Sequence, residues 1–184
     1  MRDVILYMSM SLDGFVGSDR EHPGVAIPEG AALKQWKLDR VRKAGAHLMG
    51  RVTYQEMSSF WPQSDDAYAQ PMNDIPKIVF SKSLSDAEAG WPETRVARGD
   101  LATEIAAIKA EPGQDVIVWG GRRLAGALAA ANLIDEYRLL VQPLILGRGQ
   151  ALFDQLSESR HLDLVETTPF PSGIVVHTYR PQHA

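Results

Sequence analysis

The chain of 184 residues contains no cysteine. Disulfide staples, thiolate metal centres and cysteine nucleophiles are thereby excluded. A cysteine-free chain suits a reducing compartment, and a cytoplasmic location is expected. No apolar run approaches the ~20 residues that a membrane-spanning helix requires. The first residues, with Asp3 and Asp13 around the short apolar run Val4 to Met8, lack the layout of a signal peptide. Charge of one sign is scarce as well: 19 Lys and Arg against 23 Asp and Glu give a net charge of −4, with no basic or acidic tail. A nucleic-acid partner requires clustered cations, so neither nucleic acid nor membrane is an expected partner. The histidines, His22, His47, His161, His177 and His183, include no pair at metal-ligand spacing, and no metal is expected.

What is present is an ordinary globular balance, 45% apolar and 23% charged. The length suits one domain over residues 1–184 with a core of its own. Val4 to Met8, a short, wholly apolar run, reads as a strand covered on both faces, and Ala46 to Met49, Lys77 to Phe80, Thr94 to Ala97 and Val116 to Trp119 read as further strands. Between them, Glu29 to Lys43 carries Leu33, Trp36 or Lys37, Arg40 and Val41 at helical spacing. Val52 to Met57, Leu101 to Lys109 and Leu124 to Ala131 also read as helices. Residues 17–30 and 58–68 read as loops, the first long enough to be a lid. Glu136 to Val141 and Leu144 to Leu146 are strand-like around Pro143. Leu162 to Thr168 and Ile174 to Tyr179 read as an antiparallel pair. The alternation predicts an α/β fold, a mostly parallel mixed sheet flanked by helices with a C-terminal antiparallel strand pair.

Three stretches place ligand-friendly residues just past a strand. Gly50-Arg51-Val52-Thr53 ends a strand and opens a helix, whose free N–H groups and dipole favour a phosphate. Arg51 could grip that phosphate and Thr53 could bind its oxygen or cap the helix. Gly120-Gly121-Arg122 repeats the pattern, with glycines that admit a pyrophosphate to the backbone. It is not a G-x-G-x-x-G fingerprint. Ser81 and Lys82 follow a third strand and could hold a ribose phosphate. Each stretch alone could equally be an ordinary strand–helix junction or a solvated loop. Their common position at strand carboxyl ends predicts convergence on one sheet edge, where open α/β sheets bind ligands. Asp13 reads either as a substrate or proton-relay group or as turn chemistry with Gly14. Tyr54 and Trp61 could stack on a planar substrate or anchor the core. Gly147-Arg148-Gly149 joins strand-like segments and reads as a turn.

Met49-Gly50-Arg51-x-Thr53, the strand ending at Ser81, and Trp119-Gly120-Gly121 before a helix resemble the cofactor-binding elements of dihydrofolate reductases. Ser11-Leu12-Asp13-Gly14, the run Ile134 to Gly149 and Leu152-Phe153 resemble the reductase domain of bacterial bifunctional riboflavin-biosynthesis enzymes, and above all stand-alone proteins built on that domain. The resemblance implies a dihydrofolate-reductase-like fold, NADPH as cofactor and a homodimer. It implies that Gly50, Arg51 and Thr53 hold the adenosine phosphate side and that Ser81 and Lys82 face the ribose. Gly120, Gly121, Arg122 and Leu124 would embrace the pyrophosphate, with Asp13 and Gly14 near nicotinamide and substrate. It departs from dihydrofolate reductases at the first helix. The pterin-binding carboxylate expected about sixteen residues before Gly50 is Lys34 here, with Glu29 and Asp39 the nearest acids. The expected activity is hydride transfer from NADPH to a small, pterin- or pyrimidine-like substrate; the alternative is a non-catalytic nucleotide- or pterin-binding protein.

Overall fold

The computed structural model describes residues 1–16 and 28–182. Eight strands form one sheet: β1 (Val4–Ser11), β2 (Ala46–Gly50), β3 (Lys77–Phe80), β4 (Thr94–Ala97), β5 (Val116–Val118), β6 (Glu136–Gln142), β7 (Leu162–Pro169) and β8 (Val175–Pro181). Their order is β4-β3-β2-β5-β1-β6-β8-β7. The first six in that order pair in parallel; β8 runs antiparallel to β6 and to β7. The expected mixed sheet with a C-terminal antiparallel pair is therefore present.

Among the described residues, five helices cover it: α1 (Gly30–Val41), α2 (Arg51–Phe60), α3 (Ala69–Asp74), α4 (Leu101–Ala110) and α5 (Arg122–Ala130). Alternation along β1 explains the layering, because successive side chains of a strand point to opposite faces. Val4 and Leu6 join Leu48, Val116 and Val118 in a core closed by Ile105 and Ile108 of α4 and Leu128 of α5. Tyr7 faces the other way, with Ile117, Leu140 and Leu33 of α1. A third cluster joins Met49 and Val79 to Leu38 and Val41 of α1, Tyr54 of α2 and Met72 of α3.

Two expectations are corrected. Residues 58–68 are not one loop: α2 runs on to Phe60, a 3-10 turn spans Trp61–Gln63, and α3 follows at Ala69. Leu144 to Leu146 form no strand. Pro143 supplies no N–H for a ladder, and the backbone N–H groups of Leu146 and Gly147 instead donate to the Asp13 carboxylate at 3.1 and 2.7 Å. The loop expected over 17–30 lies outside the described residues apart from Pro28 to Gly30, and α1 already starts at Gly30. His22 and His183 also lie outside them.

Candidate active site

Helices α2 and α5 both begin without a capping side chain. The N–H groups of their first turns are therefore open to an external acceptor. Because β2 and β5 are neighbours, the two helix starts face each other. A Cβ at Gly121 would lie 3.1 Å from Thr53 Oγ1, and one at Gly50 would lie 3.8 Å from Leu124 Cβ. Gly121 is at φ +72 and Gly120 at φ +80, the left-handed region that glycine enters at least cost. Gly120 is buried, and a Cβ there would meet Met8 Sδ at 2.2 Å. It makes the turn, while Gly121 borders the open space.

That space is a cleft of about 1210 Å³. At one end are Ser81, Lys82 and Arg98, in the middle Gly50, Arg51, Thr53, Gly121, Arg122 and Leu124, and at the other end Tyr7, Ser9 and Trp119. All three stretches singled out in the sequence thus meet along the carboxyl edge of the sheet. Arg51 and Lys82 are exposed. Ser81 Oγ accepts from the backbone of Ser83 and Leu84, which fixes the turn after β3. Arg122 is held by Asp154 at 2.5 Å and Gln150 at 3.0 Å, so its fork is already engaged. The sequence reading missed Arg98 and Asp100 in the same wall, although β4 meets α4 there through Gly99 and the Asp100 cap, the same strand-to-helix signal.

A second cavity of about 390 Å³ shares Ser9 and Lys37 with the cleft. Trp61 lines it, edge-on to Phe60 at 4.8 Å and to Tyr68 at 6.1 Å. Its charges come as ion pairs: Lys37 with Glu29 at 2.7 Å and Lys34 with Asp66 at 2.5 Å. The Lys34 bond holds the Asp66 carboxyl below its ordinary range. Lys34 stands where the resemblance implies an acid; the carboxylates that line this cavity are Glu29, just before α1, and Asp66. Tyr68, buried by the two lysines, donates to the Lys34 carbonyl at 3.0 Å.

Two site expectations are corrected. Tyr54 is only 1% exposed, and its hydroxyl accepts from the Trp91 backbone N–H at 3.1 Å, so it cannot stack on a ligand. The Asp13 carboxyl is pulled down to about 2, first by the Ser11 hydroxyl at 2.6 Å and then by the Gly147 and Leu146 N–H groups. It is ionised at neutral pH and cannot serve as a proton source; it staples the Ser11 turn to the 146–147 backbone. Gly14, at φ +88, completes that turn. His47 was read only as lacking a metal-binding pair. It is fully buried, with Nδ1 accepting from Trp119 Nε1 at 2.9 Å and Nε2 donating to the Pro71 carbonyl at 3.1 Å. It pins the Trp119 indole at the inner end of the cleft.

Residues 2–176 match the RibD C-terminal domain family. Two Bacillus subtilis proteins of uncharacterised function are relatives: YyaP is 25% identical, covering 97% of this chain and 94% of its own, and YwjB is 27% identical, covering 97% and 98%. Among solved structures, a Shewanella sp. PV-4 protein provisionally named for riboflavin biosynthesis superposes with a TM-score of 0.78 at 21% identity over the whole of both chains. Enterococcus faecalis dihydrofolate reductase complexed with NADP(H) gives 0.66 at 15% identity, covering 98% of this chain and 97% of its own. A Thermotoga maritima diaminohydroxyphosphoribosylaminopyrimidine deaminase/5-amino-6-(5-phosphoribosylamino)uracil reductase gives 0.70 at 16% identity, covering 98% of this chain and 57% of its own. These likenesses show a dihydrofolate-reductase-like fold, and the match along nearly the whole sequence places the chain in the RibD C-terminal domain family.

Proposed function

We propose that the protein is an NADPH-dependent reductase that passes hydride to a C=N or C=O bond of a small planar substrate. The observation that carries this reading is the pair of uncapped helix starts, at Gly50-Arg51 and Gly121-Arg122, facing each other across one cleft. The residues fit a dinucleotide: Gly121 offers a surface without a side chain, the first turns of α2 and α5 offer N–H donors, and Thr53 offers a hydroxyl. Arg51, Ser81 and Lys82 would hold a ribose 2′-phosphate. Bound there, a reduced nicotinamide supplies the hydride. The chain's own part is to orient and to exclude water. Ser9 and Lys37, shared by cleft and cavity, mark where donor and acceptor would meet. Leu33, Trp61 and Leu140 give the cavity apolar walls suited to a flat ring. The Ser9 hydroxyl and the Lys37 ammonium, ion-paired with Glu29 at 2.7 Å, would be the polar groups beside the reacting atoms there.

The ionised Asp13 favours one competing reading, a non-catalytic nucleotide- or pterin-binding protein on the same fold. NADPH titration followed by NADPH consumption with a panel of heterocycles and carbonyls separates the two. Binding with turnover supports the reductase, binding with none across the panel supports the second reading in its nucleotide-binding form, and no binding removes the reductase and leaves only a pterin-binding protein, which titration with a pterin then tests. We further propose that the protein works in the cytoplasm and as a homodimer, with its edge strand β7 at the interface.

A further inference from the structure

Tyr7 is 4% exposed, and its hydroxyl has no hydrogen-bond partner among the described residues. Its ring packs against Trp36, with centroids 6.2 Å apart, and against Trp119 at 5.4 Å. Trp119 is itself fixed by His47. A buried, unpaired hydroxyl is a net cost to a fold unless something supplies the missing partner. Tyr7 lines the large cleft, at the end away from Ser81 and Lys82. Burial pushes its ionisation far above the ordinary range, so it is a proton-bearing donor at every physiological pH.

A dinucleotide whose phosphates lie between Gly50 and Gly121 and whose adenosine lies toward Ser81 sends its other ring to this end. The acceptor such a ring carries is the carboxamide oxygen. We propose that Tyr7 recognises the nicotinamide ring by donating a hydrogen bond from its hydroxyl to that carboxamide oxygen. The inference rests on the reductase reading above and adds to it a residue that selects the redox-active half of the cofactor.

The test compares wild type with Tyr7→Phe in three measurements: melting temperature without ligand, affinity for NADPH, and affinity for 2′-phospho-ADP-ribose, which lacks the nicotinamide. The variant should melt no lower than wild type, because it removes an unsatisfied hydroxyl. It should bind NADPH roughly threefold to tenfold more weakly, the weight of one neutral hydrogen bond. It should bind the fragment as wild type does. Unchanged NADPH affinity, or an equal loss for both ligands, overturns the proposal. Wild type that binds the fragment and NADPH equally also overturns it while leaving the cleft assignment intact; wild type that binds neither removes the reductase reading itself. As a check independent of the variant's folding, wild type should bind the thionicotinamide analogue of NADP⁺ more weakly than NADP⁺, because sulfur accepts poorly. Equal binding counts against Tyr7.

Discussion

His47 shows how one side chain sets a pH limit on the whole fold. Burial pushes its pKa from 6.5 down to about 4. Unfolding returns it to water, where it binds a proton near 6.5. Between those values the unfolded chain holds a proton that the folded chain does not. Stability is therefore full above pH 6.5 and falls as pH drops toward 4, by on the order of 3 kcal/mol in total. Urea midpoints from pH 7 to pH 4 should show that slope, and His47→Gln, which keeps a donor and an acceptor but does not titrate, should flatten it. A slope that is the same in the variant would mean that other groups carry it. Asp13 acts in a lower window: its depressed carboxyl supports the fold above pH 3.8 and loses that effect only as pH falls toward 2. Gly121 bears on testing at the same scale. At φ +72 a side chain is strained whatever lies in the cleft, so replacing it would report on the backbone as well as on any ligand.

Among the elements, the two strand-to-helix junctions carry the cofactor assignment, and α2 supplies its charge. Arg51 opens α2 and is exposed in the cleft wall. If it meets a 2′-phosphate, Arg51→Ala should weaken NADPH by roughly tenfold, the low end for a charge-assisted contact because solvent screens an exposed arginine. NADH affinity should barely change. Fluorescence titration with both cofactors decides, and equal losses would place Arg51 elsewhere than at that phosphate. These junctions were readable because a buried parallel strand is a short, wholly apolar run and a glycine ends it, as in Val116-Ile117-Val118 before Gly120. Helix α3 was not readable. It is one short stretch, Ala69–Asp74, with Pro71 inside it, and it buries only Pro71 and Met72. Leu144 to Leu146 misled for the opposite reason: its composition suits a strand, but its backbone joins no ladder, Leu144 making single bonds with Gln142 and Leu12 and Leu146 donating to Asp13. The second cavity was hidden because Lys34 and Asp66 belong to different elements and only the folded chain pairs them.

At the scale of the molecule, the homodimer that the resemblance implies needs apolar surface, for which the late apolar runs Leu139 to Leu146 and Ile174 to Val176 are the first candidates. The fold covers Leu139, Leu140, Ile174 and Val176 itself, at 7%, 2%, 3% and 1% exposure, so they cannot supply that surface. Apolar exposure in the first run is confined to its end, where Ile145 is 69% exposed, and on the edge strand β7 Leu164 and Val165 are 58% and 56% exposed. An edge strand presents unpaired backbone groups that a second copy can pair with. Light scattering should give twice the chain mass, and Leu164→Lys with Val165→Lys should shift it to the single-chain mass. A single-chain mass for wild type across a wide concentration range would contradict the dimer. The order of strands has a kinetic side. β1 lies between β5 and β6, pairing Val4 with Val116 and Ile5 with Glu136. On a ribosome the first strand is made long before either neighbour emerges, so Val4-Ile5-Leu6-Tyr7-Met8 waits as a sticky, unpaired segment. Such distant pairings make for slow folding and a long exposure to self-association, and the centre of the finished sheet stays open until β5 and β6 have both been made.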